Sequence, residues 1–158
     1  MLGGINVNYT FRCRCFYAFF TTISVARANT DKLDNIAACS GVVLGNGAVD
    51  LFLGDEASFD AAANIAYTAY LSEAFTGGYE QSDLQIADKI LGGNTDKLIV
   101  AYNTDAFSND LYDEIVACYR LISTQLIERS ESIVQNADKR ENVKENSIAT
   151  IKRMLKAG

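Results

Sequence analysis

Proline is absent from all 158 residues, so no residue in the chain forces a helix to end by geometry alone. Breaks have to come from the eleven glycines and from clusters of Asn, Asp and Ser, and glycine therefore marks the boundaries drawn below. With 49% hydrophobic and 22% charged residues, a chain of this length can bury one core.

Thr30 or Asp31 is placed to cap a first helix with Leu33, Ile36, Ala37, Ser40, Val43 and Leu44 on one side, and Gly45-Asn46-Gly47 is expected to interrupt it. A short apolar piece then ends at Gly54. Ser58 is placed to cap a second helix to about Thr76. Phe59, Ala62, Ala63, Ala66, Tyr70 and Ala74 give that helix a small-residue face, and Gly77-Gly78 stops it. Ser82-Asp83-Leu84-Gln85 reads as a capping box opening a short helix to Leu91, closed by Gly92-Gly93. Residues 97–102 fit a helical turn or a strand equally.

Ser108 precedes the most regular segment: Leu111, Ile115, Cys118, Ile122 and Leu126 step by three or four and lie along one stripe of a helix reaching about Arg129. Residues 130–142 are charged and poor in apolar side chains, either an exposed helix or a linker. Ile148, Ile151 and Leu155 then form a narrower stripe, with Lys152, Arg153 and Lys156 between them. These six make 148–156 a candidate interaction helix, able to dock on the body, a partner or a membrane surface. The fold class expected is all-α, a bundle of four to six helices. Its organisation is residues 1–28, a helical domain over 29–130, and a charged C-terminal helix over 131–158 docked on that domain.

Residues 1–28 support two readings. Arg12 and Arg14 followed by an apolar stretch from Cys15 to Val25 and by Ala26-Arg27-Ala28 resemble a secretory signal peptide with an A-x-A cleavage site. The apolar stretch is shorter than the ~20 residues a spanning helix needs. Alternatively Ile5, Val7, Tyr9, Phe11, Cys13 and Cys15 alternate with polar residues, the period of a β-strand that would need a partner edge if these residues are retained.

Charge separates along the chain. Residues 29–138 carry 18 acids against 5 bases, a net of −13, and residues 139–158 carry 6 bases against 2 acids, a net of +4. An acidic body is the wrong surface for displacing phosphate counterions, so nucleic acid is not the expected partner. A protein partner or self-association fits better, with membrane contact at most peripheral.

Histidine is also absent, which removes the commonest general base and most catalytic zinc arrangements. The acidic cluster Asn103, Asp105, Asn109, Asp113, Glu114 fails as a calcium loop, because Phe107 and Ser108 stand where a ligand and a glycine are required. Asp55, Glu56 and Asp60 sit where acids complement a helix start. Tyr67, Tyr70, Tyr79, Tyr102, Tyr112 and Tyr119 either line a pocket or edge the core. No motif implies a metal or another cofactor, and no catalytic residue is assigned.

Cysteine carries the one covalent expectation. Once residues 1–28 are removed, Cys39 and Cys118 remain, each on the apolar face of its helix. Neighbouring helices can bring two such residues to disulfide distance; in a reducing compartment they would instead be core thiols. The sequence thus points to an exported, periplasmic or secreted, non-enzymatic helical protein acting in binding or assembly. The alternative is a structural subunit of a particle or filament that keeps residues 1–28 for inter-subunit contact.

Overall fold

The computed structural model describes the backbone of residues 13–135 and 137–157, with side chains from residue 30 onward apart from 132 and 135. It forms an all-α bundle, and no strand occurs among the described residues. Six elements follow in order: α1 Cys13–Phe52, α2 Glu56–Thr76, α3 Gln81–Asn103, α4 Asn109–Glu128, the short α5 Ser130–Gln135 and α6 Ala137–Ala157. The strand reading of 5–15 lies outside the described residues up to residue 12, and where description begins, Cys13 to Cys15 are helical.

α1 is the centre of the bundle, with α3 and α2 as its main neighbours and α4 against a third side. Its stretch Thr30–Phe52 is long and apolar enough to cross a bilayer, with mean hydropathy 1.3, but 56% of it is buried in the bundle. Packing against three helices accounts for that composition. Leu33, Ile36, Ala37, Val43 and Leu44 from α1 meet Phe59, Ala63 and Ala66 from α2, Leu91 and Leu98 from α3, and Leu111, Ile115 and Ile122 from α4. Among the described residues this cluster begins at Leu33.

Three expected boundaries fall inside helices, for physical reasons. Thr30 and Asp31 lie inside α1, not at its start. Gly45-Asn46-Gly47 does not interrupt α1, which runs on to Phe52 before Gly54, at φ +90°, turns the chain. Nor do Gly92-Gly93 end α3, which continues through the ambiguous residues 97–102 to Asn103. The α1 glycines serve proximity. A Cβ on Gly45 would stand 2.7 Å from Cβ of Leu98 and 2.8 Å from the Thr95 carbonyl oxygen, and one on Gly41 2.9 Å from Cβ of Asn94. Their missing side chains let α3 lie directly on α1. The Thr95 hydroxyl, buried in this seam, sits 3.2 Å from the Gly41 carbonyl oxygen.

Caps follow short-range chemistry. Asp55, not Ser58, is the N-cap of α2: its carboxylate accepts from the Ser58 backbone N–H at 2.9 Å and from the Ser58 hydroxyl at 2.7 Å. Those bonds, the backbone N–H first, hold the Asp55 carboxyl below its ordinary range. α3 starts two residues earlier than the Ser82 box implied, with Glu80 as N-cap and its N–H donating to Asp83 at 3.2 Å. Ser108 caps α4 by accepting from Leu111 N–H at 3.2 Å.

Candidate functional site

Leu111, Ile115, Cys118 and Ile122 are all buried on one face of α4, and Leu126 packs against the core. The same stripe continues one position off through Gln125, a buried amide. Gln125 points at Glu73 on α2, whose side chain is 2% exposed. This carboxylate gathers several polar partners. Its Oε2 accepts from Arg129 Nη2 at 2.7 Å and Gln125 Nε2 at 3.0 Å, with Lys32 Nζ 3.5 Å away. Its Oε1 accepts from the Tyr79 hydroxyl at 2.7 Å. Arg129 also donates to the Thr76 hydroxyl at 2.7 Å. Side chains from α1, α2, the α2–α3 turn and the C-terminal end of α4 therefore converge on one buried charge. With hydrogen bonds to both of its oxygens, this carboxylate ties α2 to α4 and to the α2–α3 turn.

Sequence reasoning missed this network, although a signal existed. Extending the α2 stripe Phe59, Ala62, Ala63, Ala66, Tyr70 by three lands on Glu73, and extending the α4 stripe from Ile122 by three lands on Gln125. Two polar residues on two apolar faces imply that the faces meet there.

Beside the network opens a cleft of about 640 Å³ between α1 and α4, lined by Asp31, Lys32, Asn35, Ile36, Leu121, Thr124, Gln125 and Glu128. Its geometry follows from the disulfide. Cys39 and Cys118 are bonded, with Cα atoms 4.8 Å apart. Ile36 lies about one turn before Cys39, and Leu121 about one turn after Cys118. The bond thus pins α1 to α4 at one end of the cleft, and Asp31 and Glu128 stand at the other. The volume falls within the ordinary range of small-ligand sites.

The second polar seam joins α6 to α2. Lys152 reaches both Glu56 and Asp60, the latter at 2.8 Å, and Lys156 reaches Glu56 at 3.0 Å. The Lys152 ammonium lies 5.8 Å from the Phe59 ring centre. The hydrogen bond from Lys152, reinforced by that from Lys156, lowers the Glu56 carboxyl, and the bonds Lys152 donates to Asp60 and then to Glu56 raise its ammonium. Of the candidate interaction residues, Ile148, Ile151 and Leu155 pack against the core, Lys152 and Lys156 face α2, and Arg153 is exposed, bonded back to Ala149 and Thr150.

The tyrosines do not share one pocket. Tyr70 is buried and donates to Asp88 at 2.6 Å, which together with burial pushes its phenol upward. Burial likewise moves Tyr67 to about 12. Tyr79 belongs to the Glu73 network, Tyr102 stacks on Phe52 at 6.0 Å, Tyr112 is exposed, and burial raises Tyr119 beside Asn46. Among the described residues no three His, Cys, Asp or Glu side chains gather as metal ligands. Asp105 sits in the α3–α4 turn at φ +52°, where Ala106 N–H closes back on the Ala101 carbonyl at 2.8 Å.

No protein-family model, curated protein or solved structure matches the chain.

Proposed function

We propose that this chain is an exported, non-enzymatic helical protein that works by binding or assembly, in the periplasm or outside the cell. The observation that carries the reading is the Cys39 to Cys118 bond joining α1 and α4, since such a staple persists in oxidising compartments and is rare in reducing ones. The core supports it, because its described residues begin at Leu33 and cleavage after Ala28 would remove none of them. The α1–α4 cleft, with Glu73 hydrogen-bonded at both oxygens behind it, suits holding a ligand better than transforming one.

The alternative, a structural subunit that keeps residues 1–28 for inter-subunit contact, draws on one feature: α1 runs without a break from Cys13 to Phe52, across the cleavage point. Cell fractionation with maleimide labelling separates the two. The exported reading expects the protein in the periplasm or medium, with Cys39 and Cys118 unreactive until reductant is added. Recovery in the cytosol with both thiols reactive would overturn it.

A further inference from the structure

α6 is joined to the bundle differently from α1 to α4. Its two buried residues, Arg140 and Lys144, are charged, and its apolar anchors Ile148, Ile151 and Leu155 are only partly buried. It packs mainly on α2, through the lysine pairs with Glu56 and Asp60. The seat is incompletely filled: a groove of about 220 Å³ remains between α3 and α6, over Leu44, Leu91 and Ile99, while Met154 at its edge is 69% exposed. Arg140 donates to the Ile133 carbonyl and ties α5 to α6, so the two form one arm. A single turn at Arg129 separates that arm from α4, and Ile133 N–H already donates to the Arg129 carbonyl at 2.9 Å with helical spacing.

We infer that the α2 surface formed by Glu56, Asp60 and Phe59 is an interaction surface for α6 of a second copy of this chain, reached when the arm over residues 130–157 swings out about Arg129. Charge complementarity names the occupant. A helix that fits must carry an apolar stripe like Ile148, Ile151, Leu155 with lysines at the positions of Lys152 and Lys156, and a second copy supplies it residue for residue. Every bond of the closed form is re-formed between chains, so the two arrangements differ mainly in the effective concentration of the arm. The body left behind keeps the α1 to α4 core and the disulfide. Exchange is therefore favoured by crowding of copies, which is what an assembling protein experiences. This deepens the assembly half of the function proposed above and is independent of export and of the disulfide.

The test uses the full chain. Equal amounts of ¹⁴N- and ¹⁵N-labelled protein are incubated together over a range of concentrations. Carbodiimide then joins the Lys152 amine to a Glu56 or Asp60 carboxylate as an amide, with loss of water, and digested peptides are weighed. The inference expects mixed-label pairs whose share rises with concentration. Same-label pairs alone at every concentration would overturn it. A second measurement mixes E56K/D60K with K152E/K156E, each repelling its own arm but complementary to the other in both directions. A complex of twice the chain mass on mixing supports the inference. Two folded chains that stay monomeric in the mixture contradict it.

Discussion

Gly45 of α1 faces Leu98 of α3 so closely that a methyl group on the glycine would stand 2.7 Å from the leucine Cβ. The Gly45→Ala substitution therefore has to push α3 away from α1, and a loss of about 1–3 kcal/mol in denaturant unfolding is expected. Gly92, inside α3 with open space around it, serves as the control. Gly92→Ala should raise stability by about 0.5–1 kcal/mol, the helix-propensity difference. Equal effects at both sites would contradict the close-approach role.

The same pair shows where the sequence could be read and where it could not. With proline absent, glycine was the only strong helix breaker left, and Gly45-Asn46-Gly47 and Gly92-Gly93 were read as stops. In the structure all four glycines are interior to helices, because tertiary contact at Gly45 and Gly47, and simple tolerance at Gly92 and Gly93, outweigh a propensity cost of about 1 kcal/mol each. Gly54 and Gly78 do turn the chain, and both have positive φ. By contrast, the α4 stripe and its Ser108 cap were plain in the sequence, since both rest on local spacing. The Cys39 to Cys118 pair was within reach because both lie on apolar helix faces and, on the reading that residues 1–28 are cleaved, each is the other's one partner. Glu73 with Arg129 was not, since their meeting depends on which way α2 and α4 are rotated.

Arg129 is the partner whose loss should be felt most in that network. Arg129→Ala leaves Glu73 buried with only Lys32, Gln125 and Tyr79 near its oxygens. A destabilisation of about 3 kcal/mol is expected, at the lower end for a broken buried pair because Arg129 itself is partly exposed. Adding Glu73→Gln to that variant should recover part of the loss, by removing the stranded charge. A double variant no better than Arg129→Ala would show that the charge is not what the arginine serves.

The α2–α6 seam should respond to pH at both ends of the range. The Glu56 carboxyl is lowered by its bonds to Lys152 and Lys156, so its contribution is present above the ordinary glutamate value of 4.5 and disappears as pH falls through the lower folded value. The Lys152 ammonium is raised by Asp60 and Glu56, so its contribution is present below 10.5 and disappears as pH rises through the higher folded value. Amide protection along α6, the exchange rate corrected for its intrinsic pH dependence, should therefore fall in acid and again in strong base more than protection along α1 to α4 does. At neutral pH, added salt should lower that protection too, since Glu56 and Lys156 are exposed to solvent. Uniform exchange across all helices would show that α6 is no looser than the core.

Removing the staple should weaken the fold without changing it. Cys39→Ser with Cys118→Ser releases a loop spanning a separation of 79 residues, a loss of about 2–5 kcal/mol. The far-ultraviolet spectrum should keep its helical form at low temperature, because the apolar contacts among α1 to α4 remain. Loss of helicity without denaturant would mean that the bond specifies the bundle as well as stabilising it.

The intact mass of the native protein, taken from its own or a related host with and without reductant, bears most directly on the exported, disulfide-stapled reading. That reading expects a chain beginning at Asn29 that gains two hydrogens on reduction, the bond between Cys39 and Cys118. A full-length chain with four free thiols would contradict it and turn attention to the assembly that residues 1–28 join.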